Sequence, residues 1–317
     1  MSKLQPTVTP FDGFDKDSDV QILRKAMKGM GTDEQAILDI LCYRTNEQRQ
    51  EIAKHYKASY GRDLLKDLKS ELKGDFEDII LGLMTPAPLF DAQCLKKAMA
   101  GAGTNERVLL EIMCARSNTQ IQQIKAAYKL AGLGEDLEAD LESETGGDLK
   151  RLLVGLCAGA RDESTEINRD KVEADAQALV EAGEGQLGTD ESEFQRILVA
   201  KSVPHIRAVL VAYAAAAGKT MVESIKSEMS GDLERAYLNI IEYIKNPHEY
   251  FADLLYQSMK GLGTDEDCLT RVMVTRSEVD LGNVAEVFQT KYEQSLVEFI
   301  EDDVSGDFKR ALIALAS

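Results

Sequence analysis

Four copies of one short motif, locked in phase with a second, dictate how this chain can fold. Gly31-Thr32-Asp33-Glu34, Gly103-Thr104-Asn105-Glu106, Gly188-Thr189-Asp190-Glu191 and Gly263-Thr264-Asp265-Glu266 stand 72, 85 and 75 residues apart. A Gly-Asp pair follows the first glycine of each by 43, 44, 43 and 43 residues, at Gly74, Gly147, Gly231 and Gly306. Two markers in register four times describe a tandem array of units of about 70 residues, each too small to bury its apolar face alone. The chain divides on this basis into a head (1–13), repeats at 14–85, 86–158, 171–245 and 246–317, and a polar linker (159–170) between the second and third copies.

Within a unit the apolar period is helical, as in Ile37, Leu38, Ile40 and Leu41 or Leu269, Val272 and Met273. No β-branched run reads as a strand, so each unit is expected to be all-α, with room for about five helices of ordinary length. One helix is expected to end near Lys28 and the next to begin at Thr32, and another pair to meet at Gly74. The six prolines fall in the head, at unit junctions or near helix starts, where a missing N–H is tolerated. Ten residues after the motif threonine stand Cys42, Cys114, Val199 and Val274, and a thiol that exchanges with valine is a core filler. With no C-x-x-C pair, all five cysteines, Cys94 and Cys157 included, are expected to be reduced.

Composition excludes whole classes of partner. Against 37 Lys and Arg stand 55 Asp and Glu, a net charge of −18, which disfavours nucleic acid and any phosphate surface recognised by bulk attraction. The longest uncharged apolar stretch, Ala208 to Gly218, is about half the roughly 20 residues a membrane span requires. No secretory pattern opens the chain, so a cytoplasmic protein in reversible contact with membranes is expected.

The chemistry sits in the recurring loop: Met27-Lys28-Gly29-Met30-Gly31-Thr32, Met99-Ala100-Gly101-Ala102-Gly103-Thr104 and Met259-Lys260-Gly261-Leu262-Gly263-Thr264. Alternate glycines permit positive φ and leave carbonyls uncovered, so several backbone oxygens can face one cation. A carboxylate follows each final glycine by 40, 41, 40 and 40 residues: Glu71, Glu144, Glu228 and Asp303. Three carbonyls and a bidentate carboxylate are hard oxygen donors that suit Ca²⁺, with positions left for water or an outside oxygen. The competing explanation is a plain helix start, with the threonine as N-cap and Gln35 closing a capping box on Thr32. It leaves the glycines and the distant acids without a purpose.

These residues resemble the repeat signature of the annexins, G-x-G-T followed after some 38 residues by Asp or Glu, and the likeness runs from about Phe14 to Ser317. Arg44-Thr45, Arg116-Ser117 and Arg276-Ser277 match it too. The resemblance implies a curved disc of four helical repeats that binds anionic, phosphatidylserine-like membranes through calcium, is not an enzyme, and assembles as homo-oligomers on the surface. It implies as calcium ligands Met27, Gly29, Gly31 and Glu71; Met99, Gly101, Gly103 and Glu144; Gly183, Gln186, Gly188 and Glu228; Met259, Gly261, Gly263 and Asp303. Thr32 and Glu34 are secondary candidates. Two departures stand out: Glu142 competes with Glu144 across the longer spacing of copy two, and copy three has a longer loop with Leu187 where the family often has Trp. Leu187, Met30 and Leu262 are candidates for dipping into headgroups. Four bound ions would leave the chain net negative, so membrane contact must be local.

An alternative implied by the same resemblance is ion conduction through a polar channel, to which Asp91, Glu111, Arg116, Arg271, Arg276 and Asp280 correspond, although Cys94 replaces an acid. The competing reading of these charges is buried ion pairs. Other readings are weaker. Ala214 to Thr220 ends like a phosphate loop but has Tyr213 where the first glycine belongs. Asp15-Lys-Asp17-Ser-Asp19 opens like an EF-hand but lacks its glycine and final glutamate. His55, His205 and His248 share no repeat position, no G-x-S-x-G elbow supports a lipid hydrolase, and the head carries no amphipathic helix for a partner.

Overall fold

The computed structural model describes residues 3–101, 103–184 and 190–317. Its described residues form helices and no strand, five helices to each repeat, as the periodicity predicts. Repeat one holds α1 (Lys16–Ala26), α2 (Glu34–Leu41), α3 (Asn46–Tyr60), α4 (Leu64–Glu71) and α5 (Gly74–Met84). Repeat two holds α6 (Ala87–Ala98), α7 (Glu106–Ala115), α8 (Asn118–Leu130), α9 (Leu137–Glu144) and α10 (Gly147–Cys157). Repeat three follows with α11 (Arg169–Glu184), α12 (Glu191–Ala200), α13 (Val203–Ala217), α14 (Met221–Glu228) and α15 (Gly231–Lys245). Repeat four has α16 (Pro247–Met259), α17 (Glu266–Arg276), α18 (Leu281–Tyr292), α19 (Leu296–Asp303) and α20 (Gly306–Ala316).

The chain forms two compact units, one of Met1–Phe90 with His248–Ser317 and the other of Asp91–Pro247. In the first, α2 and α5 pack on α17 and α20. In the second, α7 and α10 pack on α12 and α15. A repeat thus completes its core against another repeat, the first with the fourth and the second with the third. The third helix of each repeat starts the same way or nearly so: Thr45 with Gln48 and Ser117 with Gln120 are full capping boxes, and Ser202 caps α13.

Segments that read as head and linker are tied down. In the first unit the Thr7 and Val8 amides donate to the Ser277 carbonyl (2.9 and 3.0 Å), the Gly282 amide donates to the Gln5 carbonyl (2.9 Å), and Phe11 lies 3.8 Å from the Arg44 guanidinium. The head therefore bridges repeats four and one. In the second unit Arg161 of the linker donates to the Lys201 and Leu198 carbonyls (2.9 and 2.8 Å), closing the exposed end of α12. Arg49 does the same inside the first unit, donating to the Leu41 carbonyl and to Glu278 (2.6 and 3.0 Å). All five cysteines are free, and four are buried. Burial pushes the Cys42 and Cys114 thiols up to about 12 and Cys157 to about 11.

Candidate functional site

Each motif loop leaves one helix, turns back and is closed by a single backbone bond. The amides of Asp33, Asn105, Asp190 and Asp265 donate to the carbonyls of Ala26, Ala98, Ala182 and Ser258, at 3.0, 2.8, 2.9 and 2.7 Å. The bonded residues are seven apart in repeats one, two and four, and eight apart in repeat three, which is the longer loop seen in the sequence. Between the ends, Gly29 and Gly31 take φ of +119° and +89°, Gly101 and Gly103 +94° and +98°, Gly261 and Gly263 +105° and +86°. Nothing lies within 4 Å of a Cβ built at any of the six, so glycine is needed here for its backbone freedom and not for close approach.

The side chains of Met27, Met99 and Met259 are buried, which leaves the backbone carbonyl as the group each can offer. By contrast Met30 and Leu262, between the glycines, have 106% and 109% of their reference area exposed: they make no contact that closes the loop. Leu187, Gln186, Gly188 and Thr189 lie outside the described residues. Gly183 is in the last turn of α11, where carbonyls lack a partner within the helix.

The threonine does not cap the helix. That place belongs to the next residue: Asp33, Asn105, Asp190 and Asp265 accept from the amides of Ala36, Val108, Ser192 and Cys268. Gln35 donates to Asp39 (2.6 Å) and takes no part in a box on Thr32. Helices α1 and α2 accordingly end at Ala26 and begin at Glu34, each two residues from the sequence expectation. The freed hydroxyl reaches across the chain. Thr32 Oγ1 donates to Glu71 Oε2 (3.0 Å) and Thr264 Oγ1 to Asp303 Oδ2 (2.7 Å), bringing a residue from the end of α4 or α19 to its loop. In repeat two Thr104 instead donates to the backbone carbonyl of Glu144 (3.0 Å), and the Glu144 and Glu142 side chains are exposed. Glu228 is exposed as well and accepts from Ser227 (3.1 Å). Glu34 begins α2, half-buried.

Among the described residues no group of three or more His, Cys, Asp or Glu side chains could hold a metal. What each complete loop offers is backbone carbonyls beside one carboxylate. That donor set has no nitrogen or sulfur, fits Ca²⁺ and does not fit Zn²⁺.

The charges that correspond to a channel are engaged within their own units. Asp91 grips Arg116 through two bonds (2.6 and 2.8 Å), both residues buried. Burial lowers the Arg116 pKa, but Asp91 and then Glu111 more than offset this and raise it. In the other unit Arg276 donates to Asp280 (2.8 Å), which also lies 3.3 Å from His248, and Arg271 donates to the Asp267 carbonyl (3.4 Å). The first of these pairs is one case of a repeated device that residue-by-residue reading missed. Asp19 pairs with Arg44 (2.8 Å) as Asp91 does with Arg116, both 25 residues apart, and Asp175 holds Lys201 (3.3 Å) and the buried His205 (2.8 Å). In repeat four that acid position is Phe251, whose ring lies 4.4 Å from the Arg276 guanidinium, and Asp280 supplies the charge. The fixed 25-residue offset was the available signal.

The annexin family model matches residues 18–83, 90–156, 174–240 and 250–315. Human annexin A7 is 48% identical over 311 residues, which are 98% of this chain and 64% of that protein, so the chain spans under two thirds of that relative. Among solved structures, annexin III superposes with a TM-score of 0.97 at 40% identity, covering 98% of this chain and 97% of that one. Calcium-bound annexin (Sm)1 superposes with a TM-score of 0.89 at 34% identity, covering 100% and 94%. Fold, repeat pattern and sequence likeness agree: the chain belongs to the annexin family, known as calcium-dependent phospholipid-binding proteins.

Proposed function

We propose that this protein is a calcium-dependent binder of anionic phospholipid surfaces and not an enzyme, with its membrane contacts made by the motif loops. The observation that carries the reading is the pairing of two glycines at positive φ with a carboxylate that the motif threonine hydrogen-bonds, found in repeats one and four.

The residues that would hold calcium there are Met27, Gly29, Gly31 and Glu71, and Met259, Gly261, Gly263 and Asp303. A bound ion supplies positive charge and open coordination positions for lipid phosphate oxygens. The chain's own part is to fix the loop in advance. The Asp33 and Asp265 amides close the ring, the positive-φ glycines turn carbonyls outward, and the threonine hydroxyl limits the carboxylate's motion. Met30 and Leu262, fully exposed at the tips, add apolar area that enters the headgroup region. Glu144 and Glu228 are not held in this way, so the loops of repeats two and three would bind more weakly. The net charge of −18 disfavours adhesion without an ion and makes the contact reversible.

Sedimentation with phosphatidylserine vesicles tests the reading. Pelleting is expected with calcium and release with chelator, while equal pelleting in both overturns it. Glu71→Gln combined with Asp303→Asn should raise the calcium needed for half-maximal binding, and an unchanged requirement would show the ligands to be misassigned.

A further inference from the structure

The third helix of repeat three differs from its counterparts in a way that calcium and membrane binding do not use. Aligned on the buried Tyr56, Tyr128, Tyr213 and Phe288, the exposed position two residues earlier is Lys54, Ala126, Val211 and Glu286. The position one residue later is Lys57, Lys129, Ala214 and Gln289. Repeat three alone is apolar at both, and Val211 is 73% exposed.

These residues line a groove of about 520 Å³ within the second unit, in the size range of pockets that hold small molecules. Arg207, Leu210, Val211 and Ala214 form one stripe of α13 at helical spacing, Ile241 and Lys245 form a stripe of α15, and Thr220, Met221 and Val222 close the far end. Helix α14 leaves α13 at 71°, which makes that end a corner. The polarity is lopsided. The Arg207 guanidinium donates to the Ile244 carbonyl, next to Lys245, so both cations stand at the same end. Neither makes an ion pair among the described residues, in a chain with an excess of acids. The Thr220 hydroxyl at the other end is already bonded to Glu223.

We infer that this groove binds a single-chain amphiphile with an anionic head, a long-chain fatty carboxylate, with the carboxylate at Arg207 and Lys245 and the chain running along Val211 and Ala214 toward Met221. From Arg207 to Ala214 the floor is about 10 Å long at the rise of an α-helix, so the groove holds the first part of the chain. Nothing in this requires calcium, and the site is separate from the motif loops.

The test uses the whole protein in chelator with a dansylated undecanoic acid, displaced by fatty acids of increasing length. The protein has no tryptophan, so the dansyl signal is read without background from that source. Displacement is expected to strengthen about threefold to fourfold per methylene until the groove is filled, then level off. Val211→Lys, which restores the residue type of repeat one, and Lys245→Glu should each weaken probe binding at least about tenfold. Both positions are exposed, and circular dichroism should stay unchanged. Calcium-dependent vesicle pelleting of the Val211→Lys protein should match the parent, which separates this site from the loops. Absence of probe binding, retention of parental affinity in both variants, or equal competition by oleate and oleyl alcohol would overturn the inference.

Discussion

Thr264 donates its hydroxyl to the Asp303 carboxylate at 2.7 Å, across 39 residues of sequence. The same bond joins Thr32 to Glu71, while Thr104 reaches only the Glu144 backbone. The threonine of the repeated motif is thus a positioning residue for a distant acid, and its effect should differ between repeats. Removing a hydrogen bond to a charged group weakens it by roughly 1.5–3 kcal/mol. Thr32→Val with Thr264→Val should therefore raise the calcium needed for half-maximal vesicle binding about tenfold, without loss of helix. Thr104→Val should change it by less than about twofold. Equal effects of the two substitutions would mean that the hydroxyl serves only the loop's own fold.

Glu293 ends α18 at φ +59°, the one non-glycine residue at positive φ among those described. The equivalent helix ends in repeats one and three are Gly61 and Gly218, at φ +65° and +72°. A side chain in that conformation costs about 1 kcal/mol relative to glycine. Glu293→Gly is expected to stabilise the protein by about that amount, measured by thermal unfolding. A fall in Tm would show that the Glu293 side chain contributes more than its backbone strain removes.

Arg62 holds Asp67 with two bonds of 2.7 Å, and Tyr56 donates to the same carboxylate at 2.7 Å. Its pKa is lowered, chiefly by the Arg62 bond and against the effect of burial. Asp140 is lowered by Tyr128 and Lys96 in the matching place of repeat two. A depressed folded-state pKa contributes stability that is present above the unfolded value of about 3.9 and is lost as pH falls through the folded value. Stability should therefore drop below about pH 4, and Asp67→Asn should flatten that limb of the pH profile in denaturant titrations. An unchanged acid limb would assign the loss to other carboxylates.

The Gln5 carbonyl lies 2.8 Å from a Cβ built at Gly282, closer than real Cβ contacts allow. Gly282→Ala should push the head off repeat four, exposing the Thr7 and Val8 amides that now donate to Ser277. Amide exchange at those two residues is expected to accelerate at least about tenfold, with α17 and α20 unaffected. Parental protection would mean that the head shifts to accommodate the methyl group.

The tandem array, the helical class and the glycine-rich loops follow from local pattern, because the spacing of Gly31, Gly103, Gly188 and Gly263 and the 3.6-residue apolar period are properties of the chain itself. The helix starts were read one residue early. Thr and Asp are both good caps, and only the position of Glu71 and Asp303 in space shows which of the two has another partner. Likewise the carboxylates stand at nearly equal spacings in all four repeats, yet a threonine hydroxyl holds them in repeats one and four and not in repeat two. The ion pairs of Asp19, Asp91 and Asp175 were hidden because charge pairing depends on which helices meet. The sequence by itself determined the repeats, their helices and the oxygen-rich loops, since these depend on neighbours within a few residues. Tertiary structure alone decided which acids reach their loops, that the head lies on repeats one and four, and that α13 leaves an apolar groove, because each depends on packing between segments far apart in the chain.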